Sequence, residues 1–248
     1  MSSEPLVGLI VPARAGAVPA DGPQLYPTGV RFLASGLGLE RLTPEGYDGV
    51  IGRAGELARA LATEGAEAVA LMGTSLSFYR GYAFNEQLKA TMHEASGLPV
   101  TTMSTGVVEG LRAVGARRLA VVTAYIDEVN NRLRQFLTDS GFEVLHLRGL
   151  GIAVVGEARN VSPEALIELG QQAFAAAPST DGILISCGGL QTLNVTVPLE
   201  RACGVPVISS TPAAFWSAVR LVGLSGAAPG YGRLFELEAS TPSVATAS

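Results

Sequence analysis

Cysteine, histidine and charge are all scarce in this chain, and each scarcity excludes a class of protein. The 248 residues include 2 cysteines and 2 histidines, too few for a disulfide framework or a histidine-rich metal site. Charged residues make up 16% of the chain and its net charge is −5. This balance argues against nucleic acid as a partner, because phosphate binding needs clustered Lys and Arg.

Targeting and membrane-spanning features are also missing. No run approaches about 18 uninterrupted apolar residues, the length that a transmembrane helix needs. The N-terminal segment has no basic stretch before its short apolar run, and Glu4 stands where a signal peptide would be positive. Together with two thiols that we expect to be reduced, these features predict a cytoplasmic protein with no membrane partner.

The sequence lacks the motifs that are typical of nucleotide binding or of a hydrolytic catalytic triad. The chain has no GxGxxG, no P-loop and no GxSxG elbow, so nothing in it calls for a nucleotide or a catalytic triad. Apolar residues instead make up 48% of the sequence. That is ample for one large α/β domain or two lobes of ordinary size.

Short apolar runs alternate with amphipathic helical patterns along the chain. Eight strands are predicted, at residues 6–11, 31–34, 68–72, 100–103, 119–123, 143–147, 182–186 and 205–209. Four of these runs are apolar throughout, as in strands that are covered on both faces. Strand–helix alternation predicts parallel sheets with helices on both sides.

Three helix starts carry the same signal, a Ser or Thr N-cap followed by Pro. They are Thr43, Ser162 and Thr211. After Thr43 the apolar periodicity continues to Leu61 and predicts a single helix.

The first four predicted strands can be laid over the last four, so that AVALMGTS falls opposite GILISCGG. We therefore predict an α/β fold of two similar lobes related by a pseudo-two-fold axis, each lobe a four-stranded parallel sheet flanked by helices. Residues 1–113 would form the N-terminal lobe and 114–227 the C-terminal lobe. A C-terminal segment, 228–248, would follow, with a disordered tail from about Leu237.

Ligands of parallel sheets bind beyond the carboxyl ends of the strands, which directs attention to two turns. Thr74 and Ser75 follow Gly73 at the end of one buried strand, and their hydroxyls could hold a small anion. The same residues would also suit an ordinary strand-to-helix turn.

The second turn carries Cys187, followed by Gly188 and Gly189. A thiol beside free backbone N–H groups can donate and accept a proton. A lone cysteine is, however, more often a buried packing residue. Tyr125 ends a third strand. Its phenol could bind an oxyanion, or it could lie at the rim of the site with its hydroxyl in contact with solvent.

Longer stretches, among them VPADG, TPEGYD, LMGTSLSFYRG, TTMST, VTAYID, DGILISCGGL and PGYGRLF, resemble the arylmalonate decarboxylase family of the aspartate/glutamate racemase superfamily. The resemblance spans roughly residues 7–235 and implies an active site in a cleft between two lobes. Racemases and maleate isomerases of this superfamily have one cysteine on each lobe. Here one is present as Cys187, whereas Gly73 stands at the position of the other.

The resemblance implies a carboxy-lyase that works without a cofactor or metal and takes a small dicarboxylate as substrate. Cys187 would be the proton donor, and the retained carboxylate would be bound by Thr74, Ser75, Tyr125 and Gly188. The substrate pocket would be completed by Pro12, Leu39, Leu42, Tyr47, Gly73, Val155 and Gly189. The product would be a single enantiomer of an arylacetate or arylpropionate, and the protein a monomer or small homo-oligomer.

Two alternatives are compatible with the same residues. One is a racemase or maleate isomerase of the superfamily, which the glycine at 73 argues against. The other is a non-catalytic protein that binds small carboxylates. The sequence departs from the family pattern at Ala13, Arg14 and Ala158, and these departures bear on the shape of the pocket.

Overall fold

Two four-stranded parallel sheets form the framework of the protein. The computed structural model describes residues 4–237. Its strands are Leu6–Val11 (β1), Arg31–Gly36 (β2), Ala68–Leu71 (β3), Val100–Thr102 (β4), Arg118–Thr123 (β5), Glu143–Gly149 (β6), Gly182–Ser186 (β7) and Val207–Ser209 (β8). The orders β2-β1-β3-β4 and β6-β5-β7-β8 are the same topology used twice. The predicted fold class is confirmed.

Helices connect successive strands and cover both sheets. They are Asp21–Leu25 (α1), Pro44–Ile51 (α2), Ala54–Thr63 (α3), Thr74–Phe78 (α4), Tyr82–Ser96 (α5), Met103–Ala113 (α6), Asp127–Asp139 (α7), Pro163–Ala175 (α8), Thr196–Cys203 (α9) and Ser210–Leu221 (α10). Two 3₁₀ turns lie at Glu157–Asn160 and Arg233–Glu236. No helix within residues 4–237 has the length and apolarity to cross a bilayer.

The strands that are apolar throughout are buried because helices cover both faces of each sheet, as the sequence predicts. Every residue of β3 and β7 is buried, since each lies inside its sheet with helices on both faces. Two of the three predicted caps are confirmed. The Thr43 hydroxyl accepts a hydrogen bond from the Gly46 N–H at 3.4 Å, and the Ser162 hydroxyl accepts one from the Ala165 N–H at 3.2 Å.

Two helix predictions are wrong, in both cases because of tertiary contacts. The pattern from Thr43 to Leu61 forms two helices rather than one, since the chain turns at Gly52 and Arg53. There the Arg53 guanidinium donates to the Leu37 carbonyl at 2.9 Å. Helix α10 begins at Ser210, ahead of the predicted cap at Thr211, and the Thr211 hydroxyl donates to the Gly188 carbonyl at 3.2 Å instead.

Helices α6 and α10 are equivalent in the two halves, since each follows the fourth strand of its sheet, and they pack against each other. Their backbones touch, because a Cβ on Gly106 would lie 2.7 Å from the Ala213 carbonyl oxygen. Helix α10 also packs against β3 and β4, so it covers the first sheet. The lobe boundary at residues 113 and 114 therefore stays a prediction.

The segment after α10 packs onto the body of the protein as far as the described residues extend. Leu234 and Phe235 are buried, and the Phe235 carbonyl accepts a hydrogen bond from the Ala228 N–H at 3.1 Å. The remainder of the predicted disordered tail lies outside the described residues.

The contact between α6 and α10 predicts that Gly106→Ala lowers the free energy of unfolding by about 1–3 kcal/mol, the usual cost of overpacking. Gly49→Ala in α2 is the matched control, since nothing lies within 4 Å of its added methyl group; it should stabilise by about 0.5–1 kcal/mol. Urea unfolding of both variants measures the difference. Equal effects would show that the two helices are not in backbone contact.

Candidate active site

A cavity of about 390 Å³ lies where the carboxyl ends of the two sheets meet. Its wall includes Pro12, Leu39, Leu42, Gly73, Thr74, Ser75, Tyr125, Val155, Cys187, Gly188 and Gly189. Predicted residues from six separate segments of the chain are thus brought together. Tyr47 is the exception, because it is fully buried and does not line the cavity.

The turn after β3 is held by buried hydroxyl groups. The Ser77 hydroxyl contacts the Gly73 and Thr74 carbonyls at 3.0 and 2.9 Å and the Ser104 hydroxyl at 2.7 Å. The Ser104 hydroxyl also donates to the Thr74 carbonyl, at 3.0 Å. These contacts fix the backbone of the turn, so that the buried Thr74 and Ser75 side chains line the cavity.

Cys187 lies on the equivalent turn of the second sheet, immediately after β7, and the residue is 6% exposed. Burial raises the pKa of the thiol to about 11, although the Gly189 and Leu190 N–H groups and the Tyr125 hydroxyl partly offset that rise. The Gly189 N–H donates to the sulfur at 3.4 Å. At neutral pH the group is therefore a thiol, which carries a proton that it can donate.

Tyr125 is held from both ends. Its carbonyl accepts from the Asn130 amide at 3.1 Å, and its ring packs edge-on against Phe78 with centroids 5.7 Å apart. Its hydroxyl lies 3.5 Å from the Ser186 hydroxyl. Burial, with smaller contributions from Cys187 and Tyr47, raises the pKa of Tyr125, so the phenol stays a hydrogen-bond donor.

Tyr47 stands behind the wall rather than in it. Its hydroxyl is buried and has no hydrogen-bond partner within residues 4–237. Burial raises its pKa, and the nearby Ser75 hydroxyl opposes that rise. The ring packs edge-on against Tyr79 with centroids 5.0 Å apart. The helical pattern indicates that Tyr47 points inward but does not identify the surface that it meets.

One apolar side of the cavity is built by two loops that meet across the two halves of the chain. The Leu42 N–H donates to the Ala153 carbonyl at 2.8 Å, and the Val155 N–H donates to the Glu40 carbonyl at 3.1 Å. This antiparallel contact, centred on Arg41 and Val154, brings Leu39, Leu42 and Val155 to one cavity. No local sequence signal predicts it, because the partners are far apart in the chain.

Several lining residues were not predicted to be there. They include Asp21, Met103 and Arg159. Asp21 has one buried carboxylate oxygen with no hydrogen-bond partner in the described part of the chain, and burial raises its pKa. The stretch VPADG, which carries part of the family resemblance, is the signal that could have found it.

The three departures from the family pattern differ in their consequences. Ala13 and Ala158 line the cavity, whereas Arg14 does not. Ala158 lies close to the reactive turn, because a Cβ on Gly189 would stand 3.1 Å from the Ala158 Cβ and 3.7 Å from the Cys187 sulfur. The size of residue 158 therefore bears directly on the space beside the thiol.

Within residues 4–237, His, Cys, Asp and Glu side chains do not gather in groups of three or more that could hold a metal ion. The polar groups that do gather around the cavity are hydroxyls, backbone N–H groups and one thiol, and Asp21, Arg159 and Gln191 are also among its lining residues. Such a set can bind a carboxylate, stabilise negative charge that develops on it, and deliver a proton.

Comparison with solved structures first defines the class, a two-lobed α/β fold. A Nocardia farcinica maleate cis-trans isomerase bound to Tris superimposes with a TM-score of 0.86 at 23% identity, covering 93% of this chain and 97% of that one. At this identity the likeness establishes the shared fold alone.

The profile of the arylmalonate decarboxylase family matches residues 7–235. The arylmalonate decarboxylase of Bordetella bronchiseptica is 56% identical over 236 residues, or 95% of this chain and 98% of that protein. A liganded arylmalonate decarboxylase with one glycine-to-cysteine and one cysteine-to-serine substitution superimposes with a TM-score of 0.92 at 55% identity, covering 94% of this chain and 99% of that one.

The chain belongs to the arylmalonate decarboxylase family. The prediction of a carboxy-lyase of this type is thereby confirmed. The solved arylmalonate decarboxylase relative that superimposes with a TM-score of 0.92 is in a liganded form. The roles of the individual cavity residues stay predictions.

The raised pKa of Cys187 predicts how the thiol responds to alkylation. Only the thiolate attacks iodoacetamide, so the rate at Cys187 should rise about tenfold per pH unit between about pH 7 and 10 and level off only near the pKa of about 11. Peptide mass mapping of a Cys203→Ser variant, which leaves Cys187 as its one cysteine, measures that rate. A plateau below about pH 9 would show that the thiol is not desolvated.

Proposed function

We propose that this protein decarboxylates α-aryl malonates to the corresponding arylacetates and, where the central carbon also carries a small alkyl group, to a single enantiomer of the chiral arylpropionate-type acid. The observation that carries the proposal is a buried thiol in the same cavity as three hydroxyl groups, on turns that follow β3, β5 and β7. Membership of the family supports the reaction class.

The retained carboxylate would lie among the hydroxyls of Thr74, Ser75 and Tyr125 and the N–H groups of Ser75, Cys187 and Gly188. As the intermediate forms, a second negative charge spreads onto that carboxylate and makes it an enediolate. Fixed donors in a buried site stabilise such charge without having to reorganise, as in an oxyanion hole. The Ser77 and Ser104 hydroxyls support the proposal because they hold the donor-bearing turn in place.

The departing carboxylate would face the apolar side formed by Leu39, Leu42 and Val155, with Pro12 beside them. An unpaired carboxylate in such surroundings is strongly disfavoured, and loss of neutral CO₂ relieves that cost. The bond between this carboxyl carbon and the central carbon breaks, and its electron pair passes into the enediolate. The aryl ring delocalises part of the charge.

The Cys187 thiol would then form the new C–H bond by transferring its proton to the central carbon. Its thiolate takes a proton back from water, so the overall reaction consumes one proton and releases one CO₂. The high pKa of Cys187 suits this task, because it keeps the thiol protonated until a strong base, the enediolate, is beside it. Protonation from one wall would give a single enantiomer wherever the central carbon also carries an alkyl group.

The proposed reaction uses no cofactor. In cofactor-dependent decarboxylases an electron sink such as pyridoxal or thiamine holds the developing electron pair. Here the aryl ring and the hydroxyl and amide donors would share that task. The substrate must therefore carry a group that can delocalise charge, which favours aryl over alkyl malonates.

The first test is CO₂ release from phenylmalonate. We expect turnover by the unaltered enzyme and a loss of about 10²-fold or more in Cys187→Ser, the scale of general acid catalysis. Cys203→Ser is the matched control, because Cys203 ends α9 and does not line the cavity. A protein that binds phenylmalonate and releases no CO₂ would be the non-catalytic binder. A Cys187→Ser variant with full activity would remove the thiol from the mechanism.

The second test restores a proton donor on the opposite face. Gly73→Cys should add racemisation of an arylpropionate, because two-base racemisation needs a donor on each side of the carbanion. The new Cβ would lie 2.6 Å from the Leu76 Cδ1 atom, so Leu76 must shift, and a modest loss of stability is expected as well. That a relative was solved with a glycine-to-cysteine substitution supports tolerance of the change.

Chiral chromatography of an enantiopure arylpropionate incubated with the Gly73→Cys variant measures the exchange. The double variant Gly73→Cys with Cys187→Ser is the control, and it should not racemise because it again has a donor on one face only. If the single variant never racemises, residues 73 and 187 do not face opposite sides of the substrate.

A further inference from the structure

The Thr74 hydroxyl makes an unusual hydrogen bond across the cavity wall. It donates to the Met103 sulfur, with 2.9 Å between the oxygen and sulfur atoms. Both side chains line the cavity, and both are almost fully buried. A hydroxyl has one proton to donate, so while this bond exists that proton is not available to a substrate carboxylate.

Met103 is held where it can act in this way. It is the first residue of α6, whose start is fixed by the Thr102 hydroxyl accepting from the Thr105 N–H at 3.1 Å. From the other side, a Cβ on Gly188 would lie 3.2 Å from the Met103 methyl carbon and 3.3 Å from its sulfur. The sulfur therefore lies between the hydroxyl-bearing turn and the cysteine-bearing turn.

The chemistry of the two acceptors makes the exchange favourable. A thioether sulfur is a weak acceptor, whereas a hydrogen bond to a carboxylate is charge-assisted and roughly twice as strong as a neutral one. The Thr74 carbonyl is held by the Ser77 and Ser104 hydroxyls at 2.9 and 3.0 Å. Rotation of the side-chain O–H is thus all that is needed to transfer the bond from sulfur to substrate.

We propose that Met103 is a positioning residue: its sulfur orients the Thr74 hydroxyl in the empty site and gives it up to the substrate carboxylate. The proposal rests on the role given to Thr74 in the proposed function. On this proposal Met103 does more than fill space in the core. The site requires a weak hydrogen-bond acceptor beside the Thr74 hydroxyl, and the thioether sulfur supplies it. A strong acceptor there would retain the proton and compete with the substrate.

A double-mutant cycle tests this directly. Met103→Gln supplies a carbonyl acceptor of similar length, and Met103→Leu removes the acceptor and keeps the volume. We expect Met103→Gln to lower kcat on phenylmalonate and the affinity for phenylacetate about tenfold, the weight of one hydrogen bond to a charged group. Met103→Leu should lower both quantities by about two- to threefold, because the Thr74 hydroxyl is no longer oriented but no competing acceptor is introduced.

The decisive comparison repeats these changes in a Thr74→Val background, which has no hydroxyl to retain. There the Met103→Gln deficit should shrink to about twofold or less, as coupled residues show. A deficit that persists in the Thr74→Val background would overturn the proposal, because it would mark a general disturbance of packing. Far-ultraviolet circular dichroism confirms that each variant is folded.

If Met103→Gln does not fold, Met103→Leu decides alone through phenylacetate binding by calorimetry. A loss of about two- to threefold that disappears in the Thr74→Val background supports the proposal, and an unchanged affinity or a loss that persists in that background overturns it. Binding also separates this inference from the proposed function. An unaltered enzyme that releases no CO₂ defeats the decarboxylase proposal, while phenylacetate titration still tests the pairing of Thr74 with Met103.

Discussion

The backbone contact between α6 and α10 is the constraint on which the rest of the molecule depends. Because Gly106 leaves room for the Ala213 carbonyl, the helices that follow the fourth strand of each sheet can lie directly together. That contact, with α10 packed on β3 and β4, sets the carboxyl ends of the two sheets toward one cavity. The first residue of α6, Met103, and Thr211 near the start of α10 both line that cavity.

This arrangement lets a repeated topology produce an asymmetric site. The turns after β3 and β7 are equivalent in the two sheets, yet one presents hydroxyls beside a glycine and the other a buried thiol. Burial works in the same direction on two groups of the second sheet: it keeps Cys187 protonated and keeps Tyr125 a phenol. The neutral thiol and hydroxyl donors of this cavity are well suited to stabilising an anion that forms within it.

The sequence was informative where structure is decided locally. Strands such as β3 and β7 are apolar on both faces, so their burial follows from composition, and the caps at Thr43 and Ser162 follow from a hydroxyl three residues ahead of a free N–H. Family resemblance, rather than periodicity, directed attention to Leu39, Leu42 and Val155. Local patterns alone would not have grouped residues so far apart.

Local sequence patterns give no signal where contacts between distant parts of the chain decide the structure. The helix break at Arg53 depends on the Leu37 carbonyl, and the apolar side of the cavity depends on pairing between Arg41 and Val154. In the sequence Met103 is indistinguishable from any other apolar residue. Its role depends on the fold, which places its sulfur against the Thr74 hydroxyl. Such residues carry no signal in their own segments, because their role is created by a partner elsewhere in the chain.

A crystal structure with phenylacetate bound tests the central claim most directly. We expect the carboxylate oxygens within hydrogen-bonding distance of the Thr74, Ser75 and Tyr125 hydroxyls, about 2.5–3.0 Å. The carbon next to that carboxylate should lie in van der Waals contact with the Cys187 sulfur. A carboxylate bound elsewhere in the cavity, for example at Arg159, or a sulfur with no approach to that carbon, would contradict the claim.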